Sequence, residues 1–169
     1  LDQEALIRGT SIYMLGRVIP MLPRELSNGI CSLNAGEDRF TLSCSMEIDK
    51  KGKVISSEIY KGIIKVTERM SYTDVQKIID ASDEVTLKRY QPYIQEFKNM
   101  EELAIILKNR RIEEGYLNLD IPESKIDLDI DGHVTNISKY ETTFAHEIIE
   151  QFMLTANETK AEKFFWLEA

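Results

Sequence analysis

Glu150 stands in the run HEIIEQFM beside the apolar residues Ile149, Phe152 and Met153, so its carboxylate belongs at the edge of a packed helical face. An acid placed there needs a cationic or hydrogen-bonding partner, and it serves either as a boundary ion pair or as a catalytic or ligand-positioning group. His133 and His146 are the only histidines, and neither comes with a companion motif such as GxSxG. One follows a DG turn and the other lies in a helical pattern, which reads as ordinary surface or boundary placement. DLDIDG, residues 127–132, opens like a calcium-binding loop, but the twelfth position is Ser138 where a bidentate glutamate is required. A hairpin with a solvated acidic face fits those residues better. Tyr13, Tyr60, Tyr72 and Tyr116 fall near element ends, and basic residues concentrate at KKGK (50–53), between Lys61 and Arg69, and at KNRR (108–111). That mixture suits a single-stranded nucleic-acid channel, where each stacked base contributes about 1–3 kcal/mol. From the residues alone, tyrosines that simply pack at the ends of elements are the favoured reading. Glycines are scattered, with neither GxGxxG nor GxxxxGK[ST], so no nucleotide-cofactor cradle is expected.

These residues sit in a chain of 169 residues, 43% hydrophobic, which is enough for one compact domain with a real core. Its apolar runs are far shorter than the roughly 18 residues of a membrane span, and no segment has the layout of a signal peptide. A soluble cytoplasmic protein without a membrane partner is expected. Cys31 and Cys44 are too few and too far apart for a cysteine zinc site, and read as reduced, mostly buried thiols. The 29 acidic residues outnumber 21 basic ones, for a net charge of −8, which repels polyanions unless basic groups are locally concentrated. The chain opens without a methionine and closes on AEKFFWLEA, an apolar end that calls for a partner; a piece of a longer protein is expected.

The pattern predicts a helix from Asp2 to about Leu15 interrupted at Gly9, then an irregular segment from Pro20 to Asn34. In that segment Pro20 and Pro23 restrict the backbone and Ser27-Asn28-Gly29 reverses it, so that Met21, Leu22, Leu26 and Leu33 turn inward. Residues 39–48 and 53–66 form an antiparallel pair around DKKG, with Gly52 in the left-handed position. A capping-box pattern at Thr73 and Gln76 starts a short helix near Asp74. Ser82 to Glu114 reads as a long helix that Pro92 interrupts near its start. Residues 116–138 alternate as three short strands turning at PES and DG. A final helix from Thr142 lays Ala145, Ile148, Ile149, Phe152, Met153 and Ala156 along one stripe. The fold class is α/β in the α+β sense, a mixed, largely antiparallel sheet packed with helices.

RGTSIYMLGRVIPMLPRELSNGICSLNAGEDRFTLSCSMEID, followed in order by RMSYTDV and HEIIEQFMLTANETKAE, resembles the central part of the RNB catalytic domain of the ribonuclease R / ribonuclease II family, with ribonuclease R the nearer. The resemblance extends over essentially all of residues 1–169. It implies one portion of a processive exoribonuclease that hydrolyses RNA from its 3′ end to nucleoside 5′-monophosphates. Magnesium held by an aspartate cluster would serve the parent enzyme, with that cluster and a downstream arginine outside these residues. By position, Tyr13 in RGTSIY matches a tyrosine that stacks on bases near the 3′ end. Tyr72 in RMSY matches a tyrosine near the scissile phosphate, and Glu150 matches a glutamate that positions the terminal nucleotide. Leu119 replaces the aromatic second jaw of the base clamp, which weakens stacking on that side. The implied partner is the 3′ end of single-stranded RNA, with no small-molecule cofactor, and the chain alone is expected to be inactive. A non-catalytic scaffold or single-stranded RNA-binding module of the same fold is the alternative.

Overall fold

A computed structural model describes residues 2–117 and 124–167. It divides into two compact units, the first made of residues 1–41, 63–69 and 120–141 and the second of 42–62, 70–119 and 142–169. The expected mixture of helices and antiparallel strands is what forms, although among the described residues the strands pair as three separate two-stranded ladders and do not join one sheet.

In the first unit, helix α1 (Asp2–Arg8) ends at Gly9, whose φ of 67° stops it. The predicted continuation to Leu15 does not occur. Instead β1 (Ile12–Met14) and β2 (Arg17–Ile19) form a hairpin, with Met14 opposite Arg17 across a two-residue loop. Gly16 takes φ 76° in that loop, and a Cβ there would come within 3.1 Å of Leu128 Cδ1. The proline-rich segment is held by specific bonds. Arg8 donates to the Pro20 carbonyl at 2.6 Å, the Met21 N–H donates to Ser11 Oγ at 3.0 Å, and the Pro23 carbonyl accepts from Leu26 and Ser27. A π-type turn, Glu25–Ile30, carries the reversal, with Gly29 out of helical geometry at φ −99° and ψ −106°. Met21, Leu22 and Leu26 are half-buried as expected, but Leu33 is exposed, because backbone bonds rather than a core anchor this stretch. Cys31 is also exposed and Cys44 half-buried, so the expectation of mostly buried thiols does not hold.

Strands β5 (Ser124–Leu128) and β6 (Val134–Lys139) also belong to the first unit, and their hairpin turns where the DG pair predicts it. The register shifts after Asp127, leaving Thr135 unpaired as a bulge. That bulge brings Val134 and Ile137, three apart, opposite Leu128 and Ile126, which explains the offset in their alternation. A first strand before PES would fall mainly on residues 118–123, outside the described ones.

Strands β3 (Asp38–Ile48) and β4 (Val54–Lys65) form the long hairpin that DKKG predicts, with its loop in the second unit. Asp49 Oδ1 accepts the N–H groups of Lys53 at 2.9 Å and Lys51 at 2.8 Å, and these bonds, that of Lys53 foremost, hold its carboxyl below the usual carboxylate range. Gly52 is buried at φ 79°, and a Cβ on it would lie 3.3 Å from Ile106 Cγ2 and from the Ile106 carbonyl oxygen. Gly52→Ala is therefore expected to cost about 1–3 kcal/mol, read as a lowered urea midpoint. An unchanged midpoint would show that the loop relaxes freely.

The second unit otherwise consists of α2 (Tyr72–Ile79), α3 (Glu84–Arg89), α4 (Ile94–Glu113) and α5 (Phe144–Trp166). The predicted long helix breaks at Tyr90 and resumes after a 3₁₀ turn, Gln91–Tyr93, that carries Pro92. Helices α2, α4 and α5 pack on one another around Val75, Ile78, Leu107, Ala104, Ala145 and Ile148. The start of α2 differs from the predicted one. Ser71 is its N-cap, its Oγ accepting the Asp74 N–H at 3.1 Å, while Gln76 serves another helix by accepting the Ala145 N–H of α5 at 3.0 Å.

The apolar stripe on α5 is also corrected. Ala145 and Ile148 are buried, but the buried row continues through Gln151, Thr155 and Thr159, leaving Met153 exposed. Polar side chains are tolerated there because each finds a partner. Arg111 on α4 donates to Gln151 Oε1 at 3.0 Å and to Thr155 Oγ1 at 3.3 Å, and Thr159 reaches Met46 Sδ at 3.4 Å.

Candidate functional site

Tyr72 is the first residue of α2, 45% exposed, with Ser71 capping the helix immediately before it. Its ring lies against His146, with centroids 3.9 Å apart and planes 18° from parallel. His146 occupies the third position of α5. The Thr143 N–H donates to its Nδ1 at 3.1 Å, so Nδ1 is the acceptor and the proton of the neutral ring sits on Nε2. Glu150 follows His146 by four residues on α5 and therefore shares its side of the helix.

The neighbouring acid, Glu147, is taken up by Lys108 at 2.5 Å. Glu150 is exposed, and among the described residues no hydrogen bond or ion pair reaches its carboxylate. The boundary ion pair that its position allows is thus made by Glu147. Beside Tyr72 opens a mainly apolar recess of about 290 Å³, with Val75, Phe97, Met100 and Ile149 among its walls. An exposed aromatic ring, an unspent carboxylate one helical turn from its stacking partner, and an apolar hollow can hold a planar base and accept hydrogen bonds from sugar hydroxyls.

Tyr13 belongs to the other unit. It lies on β1 opposite Val18 and is 81% exposed, as a ring offered for stacking must be. Leu119 lies outside the described residues. The KNRR cluster is not free to meet a polyanion. Lys108 pairs with Glu147, Arg110 bonds Glu114 at 2.9 Å and the Gly52 carbonyl at 2.8 Å, and Arg111 is spent on α5. Residue types alone did not reveal His146 as the support of Tyr72. The available signal was a threonine three residues ahead of it at the start of an apolar-periodic run, which places it at a capping position.

Asp129, Asp131 and His133 are the one group of three metal-ligand residues that converge among the described residues, with ligand atoms within 4.8 Å of each other. They do not fit magnesium. Asp129 Oδ1 accepts the N–H groups of Asp131 and His133, and its Oδ2 faces His133 Nδ1 at 3.3 Å, so the central carboxylate is committed to the turn. The set also supplies a nitrogen where magnesium takes oxygens in an octahedron.

The model of the RNB domain matches residues 1–168. Ribonuclease R of Thermotoga maritima is 45% identical over 165 residues, and ribonuclease R 1 of Lactococcus lactis 47% identical over 164. Each match covers 97% of this chain but only 23% and 20% of the relative, so the chain spans about a fifth to a quarter of their length. Mycoplasma genitalium RNase R in complex with double-stranded RNA superposes with a TM-score of 0.90 at 30% identity, covering 99% of this chain and 29% of that one. Yeast Ssd1, a pseudonuclease, shares the fold with a TM-score of 0.66 at 19% identity over 97% of this chain and 19% of that one, so the fold by itself does not establish catalysis. Sequence and fold agree on the family: the chain belongs to the RNB-domain family.

Proposed function

We propose that this chain is the RNA-positioning portion of a processive 3′-to-5′ exoribonuclease, acting in the cytoplasm on the 3′ ends of single-stranded RNA and releasing nucleoside 5′-monophosphates. Tyr72 contacts the nucleotide at the scissile phosphate and Glu150 orients the terminal ribose through its hydroxyls. Tyr13 stacks on a base near the 3′ end, and Leu119 gives the opposing apolar contact. The observation that carries the reading is a half-exposed Tyr72 ring stacked on His146, four residues before Glu150 on α5, whose carboxylate meets no hydrogen bond or ion pair among the described residues. The relatives named ribonuclease R and the RNase R complexes with single- and double-stranded RNA support the choice of ligand. Magnesium supplies water activation and charge stabilisation in such hydrolases, and its ligands are assigned to polypeptide outside residues 1–169.

Binding of fluorescent poly(A) to the chain tests this proposal. Tyr72→Ala is expected to weaken binding about 5- to 150-fold, since a stacked base is worth about 1–3 kcal/mol. Glu150→Ala should weaken it by a smaller factor, and wild-type chain with magnesium should release no nucleotide. Wild-type affinity in Tyr72→Ala would overturn the reading, and robust nucleotide release would overturn the division of labour.

A further inference from the structure

The contact between Tyr72 and His146 has a structural cost that a surface tyrosine need not meet, because both rings lose rotamer freedom at exposed helix starts. Each ring is nevertheless held from behind. Tyr72 and Gln76 are four residues apart on α2, and Gln76 accepts the Ala145 N–H at 3.0 Å, one residue before His146. Thr143 holds the imidazole from the other side through its N–H and its hydroxyl, 3.1 and 2.9 Å from Nδ1. Ala145 and Ile148 beneath are fully buried. The first two turns of α2 are thus tied to the start of α5 at two points, one polar through Gln76 and one aromatic through Tyr72. With one face of Tyr72 covered by the imidazole, only the opposite face and the edge remain for a base.

We propose that His146 is a positioning residue for RNA: its ring sets the orientation of Tyr72 and leaves a single stacking face for the incoming nucleotide. The inference rests on the RNA-positioning reading of Tyr72. It differs from a mere capping role for His146, and two substitutions separate the two. His146→Gln keeps an acceptor for the Thr143 N–H at the third helical position and removes the ring. His146→Phe keeps a flat ring and removes the acceptor.

In the NMR spectrum, the ring protons of Tyr72 are expected to carry a ring-current shift in the wild type and in His146→Phe, and to lose it in His146→Gln. RNA affinity should fall about three- to tenfold in His146→Gln, in line with the worth of an aromatic pair, and stay within about twofold of wild type in His146→Phe. In a Tyr72→Ala background, His146→Gln should have no further effect, because the histidine acts through the tyrosine. Circular dichroism identifies any variant that fails to fold; the double-mutant comparison is then made with His146→Asn. If Tyr72→Ala weakens binding while His146→Gln binds as wild type, the positioning role alone is overturned. That role is equally overturned if His146→Gln weakens binding by the same factor with and without Tyr72. If Tyr72→Ala itself binds RNA like the wild type, the reading of Tyr72 fails and this inference with it.

Discussion

Ile148→Ala lowers the unfolding free energy of the helical unit by about 2–5 kcal/mol, measured from urea denaturation followed by circular dichroism. Ile148 and Ile78 are the largest fully buried side chains, each 1% exposed, where α5 meets α2 and α4. The substitution removes three carbons from contact with packed neighbours and leaves a hole that helices pinned by Gln76 and Arg111 cannot close. Domains of ordinary stability have about 5–15 kcal/mol in total, so the loss is a large share. Ile148→Val should cost only about 0.5–1.5 kcal/mol. The effect would reach the proposed RNA-positioning residues, because His146 and Glu150 lie two residues either side of Ile148 on the same helix. A cost below about 1 kcal/mol for alanine would show that α5 is not seated on α2 as described.

The second large effect is expected at Arg111, whose side chain is only 14% exposed. Its guanidinium spans α4 to α5 by donating to Gln151 Oε1, Thr155 Oγ1 and both carboxylate oxygens of Glu158. Two contributions differ in kind. Glu158 is 61% exposed, so that ion pair adds only about 0.2–1 kcal/mol and is screened by salt. Gln151, 2% exposed, instead loses the donor to its amide oxygen, and an unmet buried group costs about 1–3 kcal/mol. Thr155 is partly spared, since its hydroxyl still donates to the Gln151 carbonyl at 2.8 Å. Arg111→Met, which keeps the apolar stem, is thus expected to destabilise by about 2–4 kcal/mol, with most of the loss unchanged in high salt. Glu158→Gln should cost less than about 1 kcal/mol and lose its effect as salt rises. Equal costs for the two variants would show that the exposed ion pair, not the buried amide, is what Arg111 supports.

Short-range signals were legible wherever the physics is local. Gly52 after DKK and Gly132 after Asp131 take φ of 79° and 85°, which a β-carbon disfavours, so both hairpin loops could be placed from residue type. Pro92 lacks the N–H that a continuous helix needs, and the break falls at its turn. The same logic misread Ile12 to Leu15 as helix, because IYML satisfies a helical spacing as well as the first arm of a two-residue hairpin, and only Gly16 hinted at the second. At α2, two capping patterns overlap in SYTDVQ; Ser71 prevailed because Gln76 is drawn away to α5.

Order of residue types along the chain determined the family and the mixed helical and antiparallel class, and the resemblance to that family named the candidates Tyr13, Tyr72, Leu119 and Glu150, of which Glu150 was also singled out by its place beside an apolar helical stripe. Tertiary structure alone decided which charges are spent and which remain. Arg111 meets Gln151 forty positions away and Gln76 meets Ala145 sixty-nine away, so KNRR becomes a brace and the row of α5 facing it becomes polar. His146, unremarkable in the sequence, becomes the support of Tyr72 by the same kind of contact. Periodicity reports which side of one helix is apolar; it carries no information on what a second helix brings against that side, and burial of a polar group is settled only by that partner.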